Sequence, residues 1–464
     1  MQMIKLRTLG HYFRPMAALA LPIAGQSLIS FFVNLADNLM IGTLGDTAVS
    51  GVYMGTQIFT LLQWFVTGIT TAMTILCAQF WGRRDVDAVR RVTSLALALG
   101  LPVAVLVMLA GLLFPARLIG LFTALPDVTE AGAVYLRLLA PSFPLFCASQ
   151  ILVAASRSVE YARPGLYASA GALVLNVSLN ALLIFGLLGF PALGIAGAAL
   201  ATLAARALEL AILVWLLFGR ENPLGLTLRG LFRFDRMLMD TLLRCGTPVM
   251  LGEVVWGCNT VMRSYFMGRF STQVITAFSM VNLLSETVFI WILALEAAAG
   301  ILTGKLIGGR RWEELRPYAR NMQVIFLLIG AAAVAVLLAV RPLFLSLYDV
   351  SAQARAAAWS LSGVTIPIVF FSVYEDMTLC GIVKCGGETT FVLKTDSILI
   401  FGVMLPACLI ARHLGAAAET VCFLLQIDQI LKCFVAAVKV NRFHWAHDLT
   451  TGDKKKSDIA KSEE

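Results

Sequence analysis

Twelve apolar runs follow one another along the 464-residue chain, each about long enough to cross a bilayer as a helix: roughly 16–40, 51–80, 93–115, 132–155, 166–189, 194–218, 245–268, 275–306, 321–345, 356–382, 392–413 and 416–440. A spanning helix needs about 20 apolar residues, because the hydrocarbon layer is about 30 Å thick and offers no partner to a backbone N–H or C=O. The runs are continuous and rich in Ala and Leu, without the alternation that marks a membrane β-barrel strand. They predict an all-α membrane protein with twelve transmembrane helices. Hydrophobic residues make up 59% of the chain and charged residues 14%, against roughly 45–50% and 25% in soluble domains. A cytosolic multidomain enzyme, a disordered chain and a secreted disulfide scaffold are excluded.

The net charge of +8 would suggest nucleic acid as a partner of a soluble protein. Here the basic residues sit in the joints between apolar runs, so they report topology and no nucleic-acid partner is expected. Joints after the even-numbered runs carry Arg83, Arg84, Arg90 and Arg91, then Arg157 and Arg163, then Arg220, Arg229, Arg233, Arg236 and Arg244, then Arg310, Arg311, Arg316 and Arg320, and finally Lys384. Joints after the odd runs hold chiefly Arg117, Arg269 and Arg412. The positive-inside rule therefore places both termini and a 219–244 linker in the cytoplasm of a multi-pass protein of the plasma or bacterial inner membrane. The basic start with Lys5, Arg7 and Arg14 imitates a signal peptide, but the apolar run that follows is too long, and it reads as a retained first helix. The nine cysteines form no CxxC pair and read as small core residues. After Arg442 the chain turns polar, with Lys454, Lys455 and Lys456 followed by Ser and Glu, and a disordered tail is expected over 441–464.

The chain also repeats itself. A shift of 226 residues lays GTLGDTAVSGV (42–52) on GRFSTQVITAF (268–278), Pro22 on Pro248 and Pro141 on Pro367, and a shift of 227 lays GRR (82–84) on GRR (309–311). Four weak matches in one order at nearly constant offset indicate duplication. Two six-helix lobes are expected, 1–218 and 245–440. An even number of crossings gives both the same orientation, related by a pseudo-two-fold axis along the membrane normal, and such pairs typically frame a midplane cavity.

Several segments resemble one family: LADNLMIGTLGDTAVSG (35–51), AQFWGRRD (78–85), SRSVEYARPG (156–165), VLNVSLNALLIFGLLGFPALGIAGAALAT (174–202) and GIVKCGGETTF (381–391). They look like the multidrug and toxic compound extrusion (MATE) family, over essentially the whole transmembrane region and more closely in the N-terminal half. The resemblance implies a proton- or sodium-coupled antiporter that exports organic cations, with two lobes rocking between inward and outward states.

Intramembrane charge is costly and usually functional. Asp37 lies near the outer end of the first run beside Asn34 and Asn38. A carboxylate there could alternate between protonated and charged as water access changes. In the resembled family an acid at this place joins an Asn and an Asp of the fifth helix and a Thr of the sixth in the cation site. Asp37, Asn176 and Thr202 match that pattern, whereas Asn180 replaces the expected Asp. The loss of a carboxylate favours proton over sodium; sodium, if it is the coupling ion, would sit among Asp37, Asn176, Asn180 and Thr202. The alternative for Asn176 and Asn180, one turn apart, is hydrogen-bonded helix packing.

The C-terminal half carries Glu253, Arg263, Glu286, Glu296, Glu375, Asp376, Lys394, Asp396, Asp428 and Lys432 inside its runs. Asp428 and Lys432, four apart, are expected to pair, and Lys394 to reach toward the interface. Glu253, Glu286 and Asp376 are candidates for binding a cationic or zwitterionic substrate. Arg263, at the repeat position of Asp37, makes the lobes chemically unlike. All four His lie near run ends or in tails, no GxSxG occurs, and GILTGKL (300–306) lacks the spacing and hydroxyl of a phosphate loop. These patterns argue against an enzyme or an ATP-driven pump. The expectation is a monomeric secondary antiporter without a cofactor, working in contact with membrane lipid on a small-molecule substrate; a flippase for a lipid-linked or zwitterionic substrate is the rival.

Overall fold

The computed structural model describes residues 6–123, 125–189, 191–219, 223–227, 235–348 and 350–451, and these contain helices and turns but no strand. The crossings begin with α1 (Leu6–Gly42), α2 (Asp46–Gly82) and α3 (Val86–Leu113). A short α4 (Pro115–Ile119) leads into α5 (Pro126–Leu139) and α6 (Ser142–Ser158), which together make the fourth crossing with a 53° bend. Next come α7 (Arg163–Phe185), α8 (Ile195–Leu217), α9 (Arg236–Met267), α10 (Thr272–Gly308) and α11 (Trp312–Ser346). The tenth crossing is α12 (Ala352–Glu375) continued by a π-helical stretch, Asp376–Lys384. The eleventh is α13 (Thr389–Ser397), a π-helical stretch Ile398–Met404 and α14 (Leu405–His413); the twelfth is α15 (Ala418–Leu424) and α16 (Ile427–Asn441).

Ten of these crossings are, without a sharp bend, long and apolar enough to span a bilayer, and the bent fourth makes eleven. The remaining one, α9, has the length at 32 residues, but Glu253, Asn259 and Arg263 interrupt its apolar surface. The twelve helices expected from the apolar runs are therefore present, in two compact units. One holds Leu21–Cys77 and Asp85–Gly246; the other holds the chain from Thr247 onward together with Ala78–Arg84 and the start of the chain up to Ala20.

The duplication has a backbone signature. Arg84 and Arg310, 226 positions apart, both adopt a left-handed φ, +63° and +53°, directly after α2 and α10. Gly189 and Gly415, at the same spacing, do likewise, with φ +84° and +69°. In the C-terminal unit the ends of α2 and α10 cross at glycines. A Cβ on Gly82 would lie 2.2 Å from the Lys305 carbonyl oxygen, and one on Gly308 would lie 1.8 Å from that of Gln79. The bare backbones touch, which any other residue would prevent.

The expected disordered tail is corrected as far as residue 451. Trp445 is fully buried and donates from Nε1 to the Val440 carbonyl at 2.8 Å. It packs over Gly386, where a Cβ would meet the indole at 2.3 Å. The Gln79 side chain donates to the His447 carbonyl (3.1 Å) and accepts from the Leu449 N–H (2.8 Å), and Arg83 donates to the Thr450 carbonyl (3.2 Å). Just outside the spans, Glu388 receives His447 at 3.0 Å and Lys439 at 3.2 Å. The bond from His447, with help from Lys439, holds the Glu388 carboxyl below the ordinary glutamate range. A polar segment is thus anchored by one large apolar side chain and a set of hydrogen bonds. Residues 452–464, with Lys454, Lys455 and Lys456, lie outside the described residues, as do Lys5, Arg220, Arg229 and Arg233. Of the linker, Leu224 and Leu226 are buried, and the Leu224 carbonyl accepts from Arg90 at 2.6 Å.

Candidate functional site

In the N-terminal unit Asp37 of α1 meets Asn180 of α7. The Asn180 amide nitrogen donates to Asp37 Oδ1 and to Asn176 Oδ1, the latter at 3.2 Å. Asn176 and Asn180 are buried, while Asp37 is partly exposed. One turn of α7 separates the two Asn, which stacks their side chains on a single face. Asn176 Nδ2 and Asn180 Oδ1 are buried and make no hydrogen bond. Such groups are rare because each forfeits its hydration, and here they leave one donor and one acceptor to spare beside a carboxylate. Thr202 of α8 behaves differently, since its hydroxyl donates to the Ala198 carbonyl of its own helix at 3.0 Å. Asp37, Asn176 and Asn180 are brought together as a hydrogen-bonded set, and Thr202 makes no bond to them.

A neighbour missed in the sequence is Arg206, one turn beyond Thr202. It pairs with Glu209 at 2.8 Å, lies 5.1 Å from the Phe146 ring centroid, and is within electrostatic reach of Asp37. Glu209 is almost completely buried and accepts from Ser169 at 3.3 Å. Two opposite charges three residues apart inside the sixth apolar run were the available signal.

The C-terminal unit centres on Lys432 of α16. Its Nζ lies 2.8 Å from Asp396, 3.1 Å from Asp428 and 4.0 Å from Glu375, so the expected Asp428–Lys432 pair is part of a larger group drawn from three crossings. Asp428 is 1% exposed and neither carboxylate oxygen makes a hydrogen bond. Asp376 opens the π-helical stretch immediately after Glu375. The wider turn changes the angular spacing of side chains, and such stretches recur at functional sites. Glu253 and Glu296 are electrostatic neighbours of Lys384, and Arg263 is one of Asp428. Six carboxyl groups, Glu253, Glu296, Glu375, Asp376, Asp396 and Asp428, thus share a low-dielectric region with three bases, Lys384, Lys432 and Arg263. Buried charge of one sign in excess is strongly unfavourable, and the carboxyl groups in this region outnumber the bases. Glu286 is exposed on α10 and makes no ion pair among the described residues.

A duplicated membrane chain whose first helix carries a carboxylate hydrogen-bonded to another helix has relatives. The MatE family model matches residues 22–182 and, a second time, 248–410, beginning at the two prolines 226 residues apart. This chain belongs to the MatE family. It is a multi-pass membrane transporter, and the resemblance read from its motifs was sound. The uncharacterized transporter YisQ of Bacillus subtilis is 26% identical over 411 residues, covering 86% of this MATE protein and 87% of YisQ. The probable multidrug resistance protein NorM of Synechocystis is 25% identical, covering 90% and 95% of the two chains. Among solved structures, MATE in complex with MaD5 superposes with a TM-score of 0.82 at 19% identity, covering 94% and 98% of the chains. A MOP superfamily transporter from Pyrococcus furiosus, described as having a binding pocket of reverse polarity that suggests a different function, gives 0.79 at 20% identity over 96% of each chain. At these identities the two structures speak for the fold alone.

Proposed function

We propose that this MATE protein is a cation-coupled antiporter that exports organic, chiefly cationic amphiphilic, compounds by rocker-switch alternating access. The observation that carries the reading is the placement of Asp37, a partly exposed acid hydrogen-bonded to Asn180, which with Asn176 is buried and neutral. A carboxyl group in such a place changes charge when water reaches it from one side and loses that charge when the water leaves, so its proton can be carried. Asn180 favours proton over sodium as the coupling ion, because its amide nitrogen already bonds the two oxygens, of Asp37 and Asn176, that a sodium ion would need. The multidrug names of the NorM relatives support export of organic compounds. The excess of carboxyl groups around Lys432 suits a cationic substrate, with Glu253 and Asp376 as contacts. Both termini lie in the cytoplasm on the positive-inside pattern, and the protein works as a monomer.

The second reading is a flippase for a lipid-linked or zwitterionic substrate. Arg206 and Arg263 place one guanidinium inside each unit, a group whose geometry suits a phosphate, and this favours it.

The test follows efflux of a fluorescent organic cation from proteoliposomes under an imposed pH gradient and, separately, a sodium gradient. Flux under the pH gradient alone is expected. Silence under both gradients across a varied set of cations would move the reading to the flippase.

A further inference from the structure

Where α9 ends and α10 begins, on the side the charge pattern assigns to the outside, a cavity of about 440 Å³ opens among Phe266, Arg269, Phe270, Arg412, Ala416 and Val421. Its two arginines come from different crossings and converge on one side chain, Tyr265. Arg269 donates to the Tyr265 hydroxyl at 2.8 Å, and its guanidinium carbon lies 4.6 Å from the ring centroid. That of Arg412 lies 5.9 Å from the same centroid. Neither guanidinium meets a carboxylate among the described residues.

Two like charges gathered on one ring repel each other, and at the edge of a bilayer the lower dielectric strengthens the repulsion. Tyr265 holds them together by a hydrogen bond and by the face of its ring. An anion between them would turn that repulsion into two attractions. A third contribution points the same way. The 37-residue helix α10 starts at Thr272, and its N-cap Ser271 makes no side-chain capping bond, so the positive end of the helix dipole begins two residues past Phe270 of the cavity wall. The other walls, Phe266, Phe270 and Val421, are apolar, which suits the glycerol and first acyl carbons attached to a headgroup.

We propose that this cavity is a binding site for a phosphate-bearing anion, held bidentately by Arg269 and Arg412 with Tyr265 as their positioning residue. Planar guanidinium groups match phosphate geometry in a way a lysine does not. The phosphate belongs to an anionic lipid headgroup or to a soluble phosphate ester. The site shares no residue with the polar sets around Asp37 and Lys432 and does not depend on the transport reading.

The experiment uses the full-length protein, delipidated in detergent, and native mass spectrometry with matched additions of phosphatidylglycerol, phosphatidylcholine and glycerol 3-phosphate. Phosphatidylglycerol is expected to be retained over phosphatidylcholine, with the preference reduced about tenfold or more in Arg269→Gln/Arg412→Gln, as follows from removing charge-assisted hydrogen bonds. Arg269→Lys/Arg412→Lys should keep the charge and part of the preference, and Tyr265→Phe should weaken it without removing either cation. Binding of glycerol 3-phosphate that the Gln variant loses would support the site with a soluble ester as its source. Equal retention of both lipids by the native protein, or an unchanged preference in a Gln variant that still unfolds at the native temperature, would overturn the proposal.

Discussion

Asn180 reaches across 143 residues of sequence to donate its amide to the carboxylate of Asp37, and the same amide nitrogen donates to Asn176 one turn away. The amide takes the place that a cation would hold between the two oxygens. Asp37→Asn removes the titrating group but keeps its shape, so coupled efflux should fall to the level of empty liposomes while the protein inserts and folds normally. Retained pH-driven efflux in that variant would end the coupling role of Asp37.

Asn180→Asp replaces the donating amide with a second carboxylate. Two facing acids would favour a bound cation, and efflux should become responsive to a sodium gradient. The comparison of sodium-driven flux in the variant and the native protein checks this.

Lys432 is the cation within 4.0 Å of Glu375, Asp396 and Asp428. Lys432→Met should destabilise the protein by about 3–5 kcal/mol, the usual cost of leaving one side of a buried ion pair alone. Adding Asp428→Asn should restore part of the loss. Thermal unfolding in detergent of the single and double variants measures both.

Gly308→Ala should abolish folded expression, since the new Cβ would sit 1.8 Å from the Gln79 carbonyl oxygen. Gly252→Ala is the control: nothing lies within 4 Å of its Cβ, and the gain in helix propensity, up to about 1 kcal/mol, makes it neutral or slightly stabilising. Size-exclusion profiles of the two variants separate the outcomes.

The clasp at Glu388 should loosen in acid. Its carboxyl is held low in the folded protein, chiefly by the bond from His447, so the unfolded chain binds the proton more readily. The contribution is complete above the ordinary glutamate range near about 4.3 and is lost as pH falls below it through the lowered folded value. Protease cleavage within 442–450 should therefore accelerate below that range, and Glu388→Gln should remove the pH dependence.

The crossings and their duplication were legible in the sequence because both are written in apolar content and spacing. Pro22 and Pro248 marked the offset that the left-handed Arg84 and Arg310 share. Asp37 was legible as an isolated intramembrane acid. Hydropathy, however, reports that a segment is buried and not what it touches. The partners of Lys432 beyond Asp428 come from other crossings, and no local spacing links 432 to 396 or 375. The π-helical stretch Asp376–Lys384 leaves no mark in composition. Trp445 sits in a polar stretch where averaging hides one indole, and the burial it achieves depends on the bare surface of Gly386.

Trp445 and the bonds around it make residues 442–450 part of the folded body, which changes how this protein should be handled at the bench. A purification tag or fluorescent reporter spliced in before residue 451 would have to displace an indole and the Gln79 bridges. A truncation chosen by hydropathy, ending at 441, would strip the covering from the ends of two crossings. Expression trials that vary only this boundary should show a sharp drop in yield once the cut passes Trp445, and tags are best carried well beyond 451.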